Sequence, residues 1–232
     1  MMNKLKPTTG DRDVEAFLDS LKDVPVRSQG QPAGRLVLAM DATMSRQHSW
    51  DTALAIQANM FAEAGRVGGL AVQLVYFRGF RECRASKWTP DTASLARLMA
   101  GIRCAGGHTQ VLRVLKHLRS EAASGKVNAC IYIGDALEES IDSLASVAGE
   151  IGLLGVPVFA FQEGEDEIAE TGFREIARLT RGAYFRFGAD SADILKDLLS
   201  AVAVYAAGGL AALEAHSSSR GGTATRLLKQ LE

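Results

Sequence analysis

No apolar stretch in this 232-residue chain runs uninterrupted for the ~18 residues that a membrane-spanning helix needs. The longest apolar-rich region, Ala201–Leu213, is too short and is broken by Gly208 and Gly209. The opening, MMNKLKPTTGDRD, has no apolar core and so does not read as a secretory leader. An excess of one charge is lacking too. With 26 basic and 27 acidic residues the formal net charge is −1, which argues against nucleic acid or an anionic membrane as partner, since both need a concentrated basic face. Cysteine is scarce. Cys83, Cys104 and Cys130 are an odd number without metal-finger spacing, which fits reduced thiols and a cytoplasmic location. What remains is ordinary globular material, 47% hydrophobic and 23% charged, able to bury a sizeable core.

The chain is organised around Arg35–Arg46, RLVLAMDATMSR. Leu36 to Met40 form a continuous apolar run, as a strand buried on both faces requires, and the run switches at once to Asp41, Thr43 and Ser45. Three oxygen-bearing side chains at i, i+2 and i+4 can converge on a hard cation where the chain curls. Loops of this composition also satisfy their own backbone, which is the plainer reading. Ahead of this stretch, residues 1–34 read as an extension. It has a short helix from Asp11 or Asp13 to about Lys22 and a Pro/Gly linker.

Further along, apolar strands alternate with helical periodicity. Strands are expected at Leu70–Phe77, Val127–Ile133, Val156–Phe161 and Ala183–Phe187, with Phe80–Lys87 folding back on the second strand as a hairpin. Helices are expected at Trp50–Arg66, from a Thr89-Pro90-Asp91 start to Ile102, then to about Ala123, and at Asp142–Leu154, Glu165–Thr180 and Ser191–Leu213. The pattern specifies a doubly wound α/β fold: a mostly parallel six-stranded sheet with one antiparallel edge strand and helices on both faces. One domain over residues 35–213 is expected, with 214–232 as a Ser/Gly/Thr tail and charged end.

Ligands of such sheets bind outside the carboxyl ends of the strands, where the winding reverses. If the first strand is central, Asp41 and Asp135 leave neighbouring strands at one edge, and the turn Gly106-Gly107-His108-Thr109 opens on the same edge. Two carboxylates and three hydroxyls from distant segments then meet at the crevice.

At this point the sequence resembles a von Willebrand factor type A domain with a metal-ion-dependent adhesion site. Asp41-Ala-Thr43-Met-Ser45 resembles that family's Asp-x-Ser-x-Ser, Thr109 in its Gly-rich loop supplies the threonine, and Asp135 supplies the acid after the fourth strand. Phe173–Phe187 is similar to the last helix–strand unit of intracellular members. The likeness covers roughly 35–207. It implies that Thr43, Ser45 and Thr109 hold the ion through neutral oxygens, while Asp41 and Asp135 orient the hydroxyls and waters. The implied ion is Mg²⁺, with Mn²⁺ or Ca²⁺ as substitutes. Its uncompensated charge would seek an Asp or Glu carboxylate from a partner protein. The resemblance further implies service in a larger assembly, such as an ATPase or chaperone-type complex. Thr43 in place of Ser, and Ala136 where members often carry Gly, are departures.

Candidate partner-contacting residues are His108, Glu138 and Trp50. Their plainer readings are a solvent-facing imidazole, a first-turn helix acid (as for Glu139) and half-buried packing. The run Glu163, Glu165, Asp166, Glu167 reads as a solvated loop and helix start. Ala201–Leu213 offers either a homodimer or partner surface or a helix buried against the sheet. Three functions therefore compete. The first is a non-catalytic, metal-dependent protein-binding module, and the second a scaffold with a metal-free, inactive site. The third is a metal-dependent hydrolase using Ser45 or a water as nucleophile, His108 as base and Asp135 as orienter.

Overall fold

The computed structural model describes residues 34–188, 192–220 and 228–231. The N-terminal helix expected before Lys22 lies outside them. Six strands form one sheet: β1 (Gly34–Asp41), β2 (Leu70–Arg78), β3 (Glu82–Ala85), β4 (Ala129–Gly134), β5 (Val158–Glu163) and β6 (Ala183–Phe187). Their order is β3-β2-β1-β4-β5-β6, parallel throughout except for β3, which runs antiparallel to β2 at one edge. The helices are α1 (Gln47–Gly65), α2 (Thr92–Ala100), α3 (Val111–Ser124), α4 (Ile141–Leu153), α5 (Glu167–Leu179) and α6 (Ala192–Arg220).

The apolar run of β1 is explained by its place. It pairs with β2 on one side and β4 on the other, so both of its faces need helices. Alternate side chains serve two cores. Leu36, Leu38 and Met40 join Trp50, Met60, Leu95, Leu198 and Val202 of α1, α2 and α6. Val37 and Ala39 join Leu115, Leu144, Ile151 and Phe173 of α3, α4 and α5 on the opposite face. The winding reverses between β1 and β4, which is where a ligand crevice opens.

Three local expectations need correction. Thr89 is not a helix cap. Its backbone N–H and C=O both pair with Val72 at 2.8 Å, extending the sheet, and Asp91 takes over the cap by accepting from the Ser94 N–H at 2.8 Å. That bond holds the Asp91 carboxyl below the ordinary carboxylate range. The hairpin strand is shorter than expected, four residues bearing Glu82 and Arg84, which blunts an otherwise adhesive edge.

The third correction concerns the C-terminal part. Helical structure does not stop at Leu213 but reaches Arg220, as two helices that meet at a break at Gly209, whose φ of 74° and ψ of −164° are non-helical. The serines continue it because a helix can absorb their hydroxyls: Ser218 Oγ donates to the Glu214 carbonyl one turn back, and Ser217 is buried. Beyond it, the Gln230 side-chain amide accepts from the Tyr184 N–H (2.9 Å) and donates to the Tyr184 carbonyl (3.0 Å), standing in for a strand at the β6 edge. Of the stretch offered as a dimer surface, most of residues 201–207 face inward, whereas Leu210 and Ala212 are half-buried and Ala211 is exposed. Ala201, Val202, Ala203, Val204 and Ala206 are all at most 1% exposed, so that face is already occupied by the domain's own core. By length and composition Ala192–Ser218 is long and apolar enough to cross a membrane, and half of its most apolar window is buried inside the domain.

Burial also gives one element a pH response. His117 of α3 lies 2.9 Å from the Gln73 Oε1 of β2, and desolvation pushes its pKa below the ordinary 6.5, against a smaller opposing pull from Glu121. The unfolded chain therefore takes up this proton first, and stability contributed by neutral His117 is lost as pH falls from about 6.5 through the folded-state value. Urea denaturation across that window should show falling stability in the native chain and a flatter profile in His117→Gln.

Candidate functional site

Asp41 ends β1, buried at 2% exposure, and its Oδ1 accepts from the Thr43 N–H at 2.7 Å. This short Asx turn curls the chain out of the sheet into a 3-10 turn at Met44–Arg46. The curl brings Thr43 Oγ1 to 3.3 Å from Ser45 Oγ, and Ser45 Oγ donates across to Asp135 Oδ2 at 2.8 Å. Asp135 follows β4, the neighbour of β1, so the two acids leave adjacent strands at one end of the sheet as expected.

The Gly-rich loop arrives by backbone contacts. Ala105 N–H donates to the Ala42 carbonyl (3.0 Å), and His108 N–H donates to the Gly79 carbonyl (3.2 Å). Gly107 is required here, because a Cβ on it would sit 2.1 Å from the Gly79 carbonyl oxygen. The loop thereby delivers Thr109 to a pocket of about 230 Å³ that it shares with Asp41, Thr43, Ser45, Asp135 and Glu138. At about 30 Å³ per water, that is room for a cation with several waters.

Two glutamates hold Thr109. Its Oγ1 donates to Glu139 Oε2 at 2.6 Å and accepts from the Glu138 N–H at 2.9 Å, while its own N–H donates to Glu138 Oε2 at 3.1 Å. Glu139 Oε1 also accepts from the Leu112 N–H in the first turn of α3. His108 Nδ1 lies 2.7 Å from the same Glu138 Oε2, and Phe80 packs edge-on to the imidazole with ring centres 5.2 Å apart. The plainer reading of Glu138 and Glu139 as first-turn helix acids is thus corrected. The helix begins only at Ile141, because Leu137 turns inward (5% exposed) and seats where Gly172 of α5 leaves room, so the acids between them face the loop.

The hydroxyl hydrogens have defined acceptors: Ser45 donates its hydrogen bond to Asp135, and Thr109 to Glu139. A hydroxyl has two acceptor sites, so Thr109, already accepting once, keeps one lone pair to offer. Among the described residues there is no group of three or more His, Cys, Asp and Glu that could hold a metal ion, so hydroxyl and water oxygens would have to complete any shell here. An ion here would rest on hard oxygen donors, the chemistry of Mg²⁺ and its substitutes, and the donor set fits that group.

Trp50 takes no part. It is 1% exposed, donates through Nε1 to the Met99 carbonyl at 3.1 Å and packs edge-on to Tyr76. A wholly buried indole cannot anchor a partner, so its assignment as a partner contact is corrected. Sequence reasoning missed Glu139 as the residue orienting Thr109, and Phe80 as part of the rim. The only sequence signal was the acidic pair following Asp135.

No family model matches the sequence, and no curated protein is similar to it at the level of sequence. Solved structures are similar. A von Willebrand factor type A protein from Catenulispora acidiphila matches with a TM-score of 0.59 at 16% identity, over 74% of this chain and 43% of that one. The SpRpn10 VWA domain matches at 0.57 and 12% identity, over 76% and 97% of the two chains. The chain has the von Willebrand factor type A fold. An aerotolerance-related membrane protein from Bacteroides fragilis is similar as well, with a TM-score of 0.53 at 15% identity over 72% and 96%. At such identities the likeness carries the fold. What the type A crest of this chain does has to be argued from its own residues.

Proposed function

We propose that this chain is a non-catalytic protein-binding module in which a divalent cation, held at the crest of the type A sheet, captures an acidic residue of a partner protein. One observation carries the reading. Thr43, Ser45 and Thr109 come from two distant loops and share one pocket with Asp41 and Asp135, and the Ser45 and Thr109 hydroxyls donate hydrogen bonds to carboxylates. Thr43, Ser45 and Thr109 would hold Mg²⁺, or Mn²⁺ or Ca²⁺ in its place. Asp41 would fix the Thr43 turn, and Asp135 and Glu139 would orient the hydroxyls. The bound ion supplies an electrophilic site for one further oxygen ligand. We further propose that the module works in the cytoplasm within a larger assembly; three cysteines, an odd number without metal-finger spacing, accord with reduced thiols.

The hydrolase reading gains one observation, since His108 has a carboxylate beside it in Glu138. Yet Ser45 Oγ donates to Asp135, not to an imidazole, and Glu138 Oε2 also serves the Thr109 N–H. These contacts support a ligand loop held in shape rather than a serine paired with a base. Capture from native lysate tests the binding reading. Proteins retained by the full chain in Mg²⁺ should elute with EDTA and be missing from an Asp135→Ala column. Retention after chelation would contradict it.

A further inference from the structure

We infer that the partner segment carries a single acidic residue beside a bulky apolar side chain, and not a run of acids. The inference rests on the metal-dependent capture proposed above and names what that site selects.

Charge is the first argument. Asp41, Asp135 and Glu138 line the pocket, and Glu139 stands directly behind Thr109. Four carboxylates exceed the two positive charges of one divalent ion. A partner carboxylate that ligates the ion gains from direct contact, but every further acid beside it meets a surplus of negative charge within roughly a Debye length, ~8 Å at physiological salt. An acidic tract is therefore selected against.

The rim supplies the second argument. Met44 lines the pocket and is 66% exposed, and Phe80 is 73% exposed. Phe80 reaches the rim through the loop: Gly107, which lines the pocket, presses on Gly79, and the next residue, Phe80, packs on His108, the neighbour of the pocket-lining Thr109. His108 is in turn tied to Glu138, so the aromatic wall is held in place before any partner arrives. Large apolar groups left in water beside a ligating position gain by burial under a partner's aliphatic or aromatic side chain, and preorganised aromatics are favoured anchors.

Fluorescence anisotropy with the full chain tests this, using three labelled synthetic peptides of equal length in Mg²⁺ and in EDTA. One peptide has a single Glu between Leu and Phe, the second a single Glu between serines, and the third a run of Glu. The apolar-flanked peptide should bind at least about tenfold tighter than the serine-flanked one. The Glu run should bind more weakly than the apolar-flanked peptide, with the gap widening at low salt. Phe80→Ser, at an exposed position that bonds to no proposed cation ligand, should abolish the preference while leaving Mg²⁺ uptake by calorimetry unchanged. Mg²⁺-dependent binding that ignores the flanks, or that is tightest for the Glu run, overturns the inference and leaves the capture reading standing. If none of the three peptides binds in an Mg²⁺-dependent way, both fall.

Discussion

Saturating Mg²⁺ should raise the melting temperature of the full chain by about 5–10 °C over the value in EDTA, and Asp135→Ala should erase that rise. A ligand at about a hundred times its Kd adds about 2.7 kcal/mol to the native state, and in a domain of this size each kcal/mol is worth about 2–4 °C. Asp135 is decisive because it accepts the Ser45 hydrogen bond. Without that acceptor the hydroxyl is free to turn its hydrogen into the pocket, and a cation would meet a donor where it needs a lone pair. Glu139→Ala should act more gently. Thr109 loses its hydrogen-bond acceptor and the first turn of α3 loses the carboxylate capping Leu112. Metal affinity should fall about 10- to 100-fold, as is usual for groups that orient ligands, and stability by roughly 0.5–2 kcal/mol from the lost cap. Differential scanning calorimetry with and without Mg²⁺ reads all three proteins. Equal melting temperatures of the native chain in Mg²⁺ and EDTA, or a full response in Asp135→Ala, would refute this account of the crest.

Trp50→Ala should destabilise the domain by about 3–5 kcal/mol in urea denaturation, the range for removing a large buried aromatic. The indole is enclosed between α1 and α2, and its Nε1–H satisfies the Met99 carbonyl. Trp50→Phe should recover much of the packing and lose one hydrogen bond to a carbonyl that still accepts from the Ile102 N–H, at about 0.5–1.5 kcal/mol. A surface anchor would behave in the opposite way, with stability within about 0.5 kcal/mol of the native chain and binding impaired. An unchanged urea midpoint in Trp50→Ala would show that the side chain is not in the core.

The two results bear on different levels of the molecule. The first concerns a site whose parts are 90 residues apart in the case of Ser45 and Asp135, and 30 in the case of Thr109 and Glu139. The second concerns a residue whose neighbours in sequence, His48 to Thr52, give no hint that a second helix covers it. Loop composition was similarly ambiguous after Leu213. A serine-rich stretch reads as a tail, yet helix hydrogen bonds and burial of Ser217 carry the chain on to Arg220.

By itself the sequence determined the layered α/β architecture, because continuous apolar runs such as Leu36–Met40 have no stable home except a strand covered on both faces. It also determined that Asp41, Thr43, Ser45, Thr109 and Asp135 would gather at one edge, since parallel strands joined by right-handed crossovers all end on the same side. Tertiary structure alone decided which acids hold Thr109, that Trp50 is interior, and that Phe80 and Met44 stand exposed beside the pocket. These are contacts between side chains brought together only by the finished sheet. Local periodicity reports a residue's nearest turn or strand, whereas the partner across a loop depends on where Leu137 finds the space left by Gly172.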